Sequence, residues 1–265
     1  MPDAIGNKTA HDYHLDVPAP EQGFFAKGLG HGDWGAKNRL SHLFNPKSGN
    51  TVMLAFDHGY IMGPTAGLER IDLVIPPLIP YVDVLMGTRG VIHSCISPTA
   101  QVGKCVRVTY DSTVLFDDMS NGGGFACDID SVIRLNADCM AVQTFIGAAG
   151  ESRSLELLAR TADAGTKYGI PTLGVVAVGK DMERTDRFFK LATRIVPRWA
   201  CSWSRPTTAT TLKRLWRPAR CPLWWPAARS CPRTRPSRWP TVPFRAAHAA
   251  WIWAATSSRA TTLWR

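Results

Sequence analysis

The last 69 residues of this 265-residue chain contain no aspartate, no glutamate and no glycine. At average usage the chance of that is on the order of one in a million, which excludes ordinary globular sequence beyond residue 196. The same stretch has no Asn, Gln, Met or Tyr, yet it holds nine of the ten Trp and nine of the 19 Pro. Other absences concern the whole chain. No apolar run reaches the roughly 18–20 residues of a membrane span, so no membrane partner is expected. The opening MPDAIGNKTAHDYHLDVPAP carries no apolar h-region, so a signal peptide is not expected. No two cysteines stand at CxxC spacing, which removes the common zinc and redox motifs. Cys95, Cys105, Cys127 and Cys139 then read as small buried thiols of a reduced, cytoplasmic protein, and no metal is expected. No GxGxxG follows the first strand-like run, which argues against a dinucleotide-binding sheet.

Charge divides at the same place. The net charge is +10, but 13 of the 31 basic residues and none of the 21 acidic ones lie after residue 196. The first 196 residues therefore carry −3 and the last 69 carry +13. A basic tail with interleaved Trp would in principle grip phosphate and stack on bases. Because the charge marks a break in composition and not a patterned surface, nucleic acid is not expected as a partner.

Before the break the chain has rhythm. Residues 1–30 are polar and punctuated by Gly and Pro, and read as a flexible N-terminal arm. TVMLAFDH (51–58), VDVLMGT (82–88), CVRVTY (105–110), CMAVQTFIG (139–147) and TLGVVAVG (172–179) are apolar runs of strand length. Between them GLERIDLVIPPL (67–78) begins with helical spacing, and DIDSVIRLNA (128–137) has an Asp N-cap candidate. ESRSLELLARTADAGTKYG (151–169) is an amphipathic helix closed by Gly, and ERTDRFFKLATRIV (183–196) is a further helix. Apolar strands alternating with helices predict an α/β parallel sheet. Polar or Gly residues follow each run: Asp57-His58-Gly59, Thr88-Arg89-Gly90, Asp111-Ser112, Gly147 and Gly179-Lys180-Asp181. In a TIM (β/α)8 barrel these are the strand ends that carry active sites. The expected architecture is thus a barrel truncated to about five βα units over residues 31–196, with strands one and five left as open edges. Residues 197–265 form an irregular, disordered, non-native tail in this reading, because Pro recurs every few residues and breaks both helix and sheet.

The tail reads as coding text one base out of register. Trp has the single codon TGG, and shifting the frame turns each Trp into Met, Leu or Val. Trp203-Ser204-Arg205-Pro206-Thr207-Thr208 then permits Leu-Val-Lys-Thr-Tyr-Tyr. Trp224-Trp225-Pro226-Ala227-Ala228-Arg229 permits Val-Val-Ala-Gly-Gly-Lys, and Trp251-Ile252-Trp253-Ala254 permits Val-Asp-Met-Gly. These are three more strand-like runs, and the missing Gly, Asp and Lys return with them.

NPKSGNTVMLAFDHGYIMGPTAGLERID (45–72), VDVLMGTRGVI (82–92), CDIDSVIRLNA (127–137), VGKDM (178–182) and FKLATRIV (189–196) resemble the DhnA-type class I aldolase family. The recovered VKTYY and VAGGKK runs are similar to it too. The resemblance implies a TIM barrel in which a strand-six Lys forms a Schiff base with a ketone, the iminium acting as electron sink for C–C cleavage. It implies a phosphorylated hydroxy-dione derived from autoinducer-2 as substrate, with lyase or thiolase action, and coenzyme A as a possible co-substrate. Cleavage of fructose bisphosphate is the alternative substrate reading. Members are homo-oligomeric.

Carried residue by residue, Asp57 matches the family's strand-one carboxylate, which contacts substrate or moves a proton; a turn-forming role is its plainer reading. His58 either contacts substrate or makes structural hydrogen bonds, and Arg89 either meets a phosphate or carboxylate or is solvated. Gln143 is two residues before Phe145 and shares its face, so it could point into the barrel. Two departures stand out. Phe145 occupies the place of a Tyr that acts in proton transfer, and has no hydroxyl. The Schiff-base Lys is replaced in this frame by Arg205, which does not deprotonate and cannot form the imine.

Overall fold

In the computed structural model, the described residues are 17, 33–177 apart from 48, 64, 66, 117, 119 and 122, then 185–199, and the backbone of 203–206, 224–226 and 251–256. The expected arm (Val17 apart), Gly179-Lys180-Asp181 and the thiols Cys201, Cys221 and Cys231 lie outside them.

The parallel ladder is built as the apolar runs predict. Strands β1 (Asn50–Ala55), β2 (Val84–Thr88), β3 (Gly103–Arg107), β6 (Cys139–Phe145) and β7 (Thr172–Ala177) pair in that order, each parallel to the next. A short antiparallel pair, β4 (Thr109–Tyr110) with β5 (Gly124–Phe125), stands apart from this sheet. The run 105–110 is therefore divided. The Val108 amide still bonds Ala141 at 3.0 Å, while its carbonyl turns away to accept from Ala126 at 2.8 Å.

Both faces of the sheet are apolar, which is why the strands read as continuous hydrophobic runs. Strand alternation sorts them into two layers. Met53, Ala55, Val84, Met86, Cys105, Cys139, Ala141, Leu173 and Val175 form the inner core, joined by Leu40, Leu43 and Phe44. Those last three come from helix α1 (Trp34–Leu43) and its C-cap, so α1 closes the end where the strands begin. Gly103, the first residue of β3, shows how tightly: an added Cβ would sit 2.8 Å from the His42 carbonyl oxygen. The alternate residues Leu54, Phe56, Leu85, Val106, Met140, Val142 and Val176 face outward and pack on Leu157, Leu158 and Ala162 of α6 (Glu151–Tyr168). Phe188, Ala192 and Val196 of α7 (Asp186–Trp199) complete that outer layer.

The helix signals hold with one exception. Asp128 caps α5 (Ile129–Arg134) by accepting from the Ser131 amide at 2.8 Å. Gly169 ends α6 in the left-handed conformation at φ 63°, as a C-terminal Gly should. The exception is 67–78, which splits into a single turn α3 (Ile71–Val74) and a 3-10 stretch, Pro76–Tyr81. Pro76 and Pro77 have no amide to donate and disfavour helical geometry before them. Two further short helices, α2 (Gly59–Met62) and α4 (Arg89–Cys95), begin directly after β1 and β2.

Among the described residues, short segments of the tail correct the expectation of two open edges. Helix α7 continues through Pro197 to Trp199. Strand β8 (Trp203–Pro206) pairs parallel with β7, so strand five is covered. Strand β10 (Trp251–Thr256) covers β1 in the antiparallel direction, and β9 (Trp224–Pro226) adds antiparallel to β10. The physical reason is that the flanks of a bare parallel sheet offer rows of unmade backbone hydrogen bonds, which any short extended segment can fill. The sheet order is β8-β7-β6-β3-β2-β1-β10-β9, and its ends β8 and β9 curl toward each other. The three segments are those that the shifted frame marks as strands six, seven and eight.

Candidate active site

Polar side chains replace the inner core where β1 and β3 end. Asp57 continues the inner face of Met53 and Ala55, and Arg107 that of Cys105. They meet across the sheet: Arg107 Nε and Nη2 donate to Asp57 Oδ2 at 2.8 and 2.6 Å. Both side chains are almost wholly buried, at 5% and 6% exposure. After Asp57 the chain turns at once into α2, and this brings Tyr60 back over the pair. The guanidinium lies 5.5 Å from the Tyr60 ring centroid, and the Tyr60 hydroxyl donates to Asp111 Oδ2 at 3.0 Å. Gly123 makes room for that carboxylate, since a Cβ there would come within 2.9 Å of Asp111 Oδ1.

Burial sets the electrostatics. It pushes the Tyr60 phenol above its ordinary value, so the hydroxyl remains a donor. It also raises the Asp111 carboxyl, against the opposing pull of Arg107 and of the Tyr60 hydrogen bond. Burial alone would lower Arg107, but Tyr60, Asp57 and Asp111 outweigh it and hold the guanidinium charged. The result is one fixed cation shared by two carboxylates and a neutral phenol.

The residues singled out by sequence scatter around this centre. Asp57 is in it. His58, next in the chain, is half-buried at the start of α2, where its carbonyl accepts from Ile61 and Met62 at 3.1 and 2.9 Å. Gln143 is buried on the inner face of β6, its backbone N–H donating to Thr109 Oγ1 at 3.3 Å. It is one inner position beyond Ala141, which pairs in register with Arg107. Phe145, one inner position further, is fully enclosed at 1% exposure. Arg89 is not brought to the centre: it is exposed at the start of α4 and donates to Ser131 Oγ at 3.2 Å. Residue 205 stands opposite Val175 in the β7–β8 register, and Val175 in turn pairs with Gln143. Arg107 and Tyr60 were not anticipated, and Asp111 was noted only as a polar residue following its strand run. The period-two alternation from Cys105 would have put Arg107 inside, whereas nothing local announces that Tyr60 and Asp111 meet.

The described residues contain no cluster of three or more His, Cys, Asp or Glu that could hold a metal ion. A cavity of about 430 Å³ lined by Phe56, Gly59, Gly63, Thr65, Leu68, Glu69 and Ile71 lies beside α2. Phe56 and Leu68 belong to the outer layer, so the cavity is distinct from the ion pair.

A curled, mainly parallel sheet with helices on its outside and buried charge at its strand ends is of the (β/α)-barrel type. Solved structures of that class match the fold. An archaeal fructose 1,6-bisphosphate aldolase aligns at TM-score 0.59 and 18% identity, over 71% of this chain and 78% of that one. The fructose-bisphosphate aldolase of Slackia heliotrinireducens aligns at TM-score 0.57 and 14% identity, over 68% and 62%. No family model matches the sequence. Curated relatives do: an uncharacterized aldolase of Pasteurella multocida is 46% identical over 195 residues, 74% of this chain and 67% of that protein. The 3-hydroxy-5-phosphonooxypentane-2,4-dione thiolases of Escherichia coli HS and Photorhabdus laumondii are 46% and 44% identical, over 66% of their lengths. This chain belongs to the DhnA-type class I aldolase family. It spans about two thirds of the length of the curated relatives it matches.

Proposed function

We propose that the chain is a member of the aldolase/thiolase branch that acts on 3-hydroxy-5-phosphonooxypentane-2,4-dione, the phosphorylated hydroxy-dione of autoinducer-2 breakdown, and that as it stands it lacks the imine step. The observation that carries the reading is the pairing of a built Asp57–Arg107 centre with an arginine at position 205, on the strand beside β7. In the imine mechanism a neutral lysine amine adds to the substrate ketone and expels water. The protonated imine then takes up the electron pair of the breaking C–C bond. Arginine supplies no neutral amine at any working pH. Asp57, held by Arg107, is the proposed carboxylate beside the reacting carbons.

The name thiolase calls for an acyl acceptor thiol, for which coenzyme A is the proposed co-substrate. Fructose bisphosphate cleavage is the second reading, favoured only by the fold of the solved neighbours. A homo-oligomer is proposed from the family, with a cytoplasmic setting. No helix among the described residues is long and apolar enough to cross a membrane.

Borohydride trapping with the phosphorylated dione tests this. A chain with the frame restored after residue 196 gains the mass of a reduced adduct; the chain as it stands does not. Adduct on the latter refutes the lost imine step, and none on the former refutes the imine assignment. The coding DNA is expected to hold a one-base insertion or deletion near codons 195–198, which resequencing checks.

A further inference from the structure

Arg107 places two nitrogens on one oxygen, Asp57 Oδ2. Its third, Nη1, is buried and has no hydrogen-bond partner among the described residues. The residue as a whole is 4% exposed. Folded proteins rarely leave a buried donor unmatched, and each one calls for a partner or a functional role. The surroundings say what kind of ligand. Asp57 already cancels the guanidinium charge, and the Asp111 carboxylate stands nearby, bonded to Tyr60. A phosphate dianion would meet no net positive charge here, and two carboxylates. A carbonyl or hydroxyl oxygen meets a strong, oriented donor without that repulsion. On the β6 side, Ala141 contributes only a methyl group beside Arg107 in register. The buried amide side chain of Gln143 is the next inner residue along β6.

We infer that Arg107 Nη1 is the recognition group for an uncharged oxygen of a polyhydroxy ketone, and that any phosphate on the ligand is held elsewhere. The ketone rests on the family reading above; the contact rests on the ion-pair geometry.

The test uses the full chain as it stands, with 15N-labelled arginine, titrated separately with dihydroxyacetone and with inorganic phosphate. The Arg107 side-chain resonance is assigned by its loss in Arg107→Lys. Dihydroxyacetone is expected to shift it saturably, while phosphate neither shifts it nor competes. The double variant Asp57→Asn with Arg107→Gln keeps a neutral hydrogen-bonded pair and is expected to bind dihydroxyacetone about tenfold or more weakly. The inference is overturned if phosphate moves or displaces the signal, if saturating dihydroxyacetone leaves it in place, or if the double variant binds equally well. Should the double variant not fold, the shift and the competition on the unaltered chain still decide. None of these readouts needs a lysine imine, so failed trapping leaves this inference standing and its failure leaves the trapping result intact.

Discussion

One sheet holds two kinds of strand. From Asn50 to Ala177 five strands run parallel, and helices between them cover an outer face that packs as tightly as the inner one. From Trp203 to Thr256 three short strands take up the two flanks, and two of them run antiparallel to their neighbours. The first kind is specified on both faces by alternating side chains and at both ends by caps. The second supplies backbone partners to edges that would otherwise be open. The difference shows that completing a ladder and completing a catalytic barrel are separate tasks. The ladder needs only extended backbone, whereas the proposed imine chemistry needs a neutral amine at a particular register, which an arginine does not supply.

The sharpest way to break this comparison is Arg205→Lys in the chain as it stands. If a single amine at the β8 register were all that is missing, borohydride trapping would match that of the frame-restored chain. Trapping about a hundredfold lower is expected instead, because small misplacement of a reacting group costs that much. Adduct yield by mass spectrometry distinguishes the two.

Next in size is Asp57→Ala, which leaves the Arg107 guanidinium buried without its counter-ion. Removing one member of a buried pair costs about 3–5 kcal/mol. Urea unfolding should report the same loss in the chain as it stands and in the frame-restored chain, since both partners of the pair come from the parallel region. Unequal losses would mean that the tail strands reach into the centre.

Gly169→Ala comes third. A Cβ at φ 63° would also lie 2.8 Å from Asp33 Oδ1, the carboxylate that caps α1. A left-handed residue with a side chain costs about 1–2 kcal/mol, read as a lowered urea midpoint. An unchanged midpoint would mean that the α1–α6 contact is looser than the parallel region requires.

The smallest effect concerns pH. The Asp111 carboxyl is raised by burial, so the folded state holds its proton more tightly than the unfolded one. Its contribution to stability is present in full below the ordinary carboxylate range and is lost as pH rises through the raised value. Asp111→Asn should flatten the urea midpoint across that window and leave the Asp57–Arg107 pair in place. A steeper slope in the variant would reverse the sign assigned here.

Much of the parallel region was legible because its signals are local. Each strand run, the Asp128 cap, the Gly169 stop and the two-sided burial of the strands follow from residues within a few positions of one another. Where a local rule met a stronger one, as when Pro76 and Pro77 cut short the helix begun at Ile71, the structure followed proline. Of the site, Asp57 was legible, and so were the inner places of Gln143 and Phe145, from motif and alternation. Arg89 had two readings in the sequence, and the structure places it exposed against Ser131 of the neighbouring helix, because a polar residue after a strand can as readily bond a helix as face the centre.

By itself, the amino-acid sequence determined the parallel α/β plan, the break in composition after residue 196 and the absence of lysine at position 205. Only the tertiary structure decided that Arg107 meets Asp57, 50 residues away, that Tyr60 reaches Asp111, and that β10 lies against β1 in the reverse direction. The reason is one of range. Periodicity and capping are written in neighbouring residues, but which charges share a buried site depends on sheet register and on the turn that swings Tyr60 back over the strand ends. Neither exists until the strands have paired.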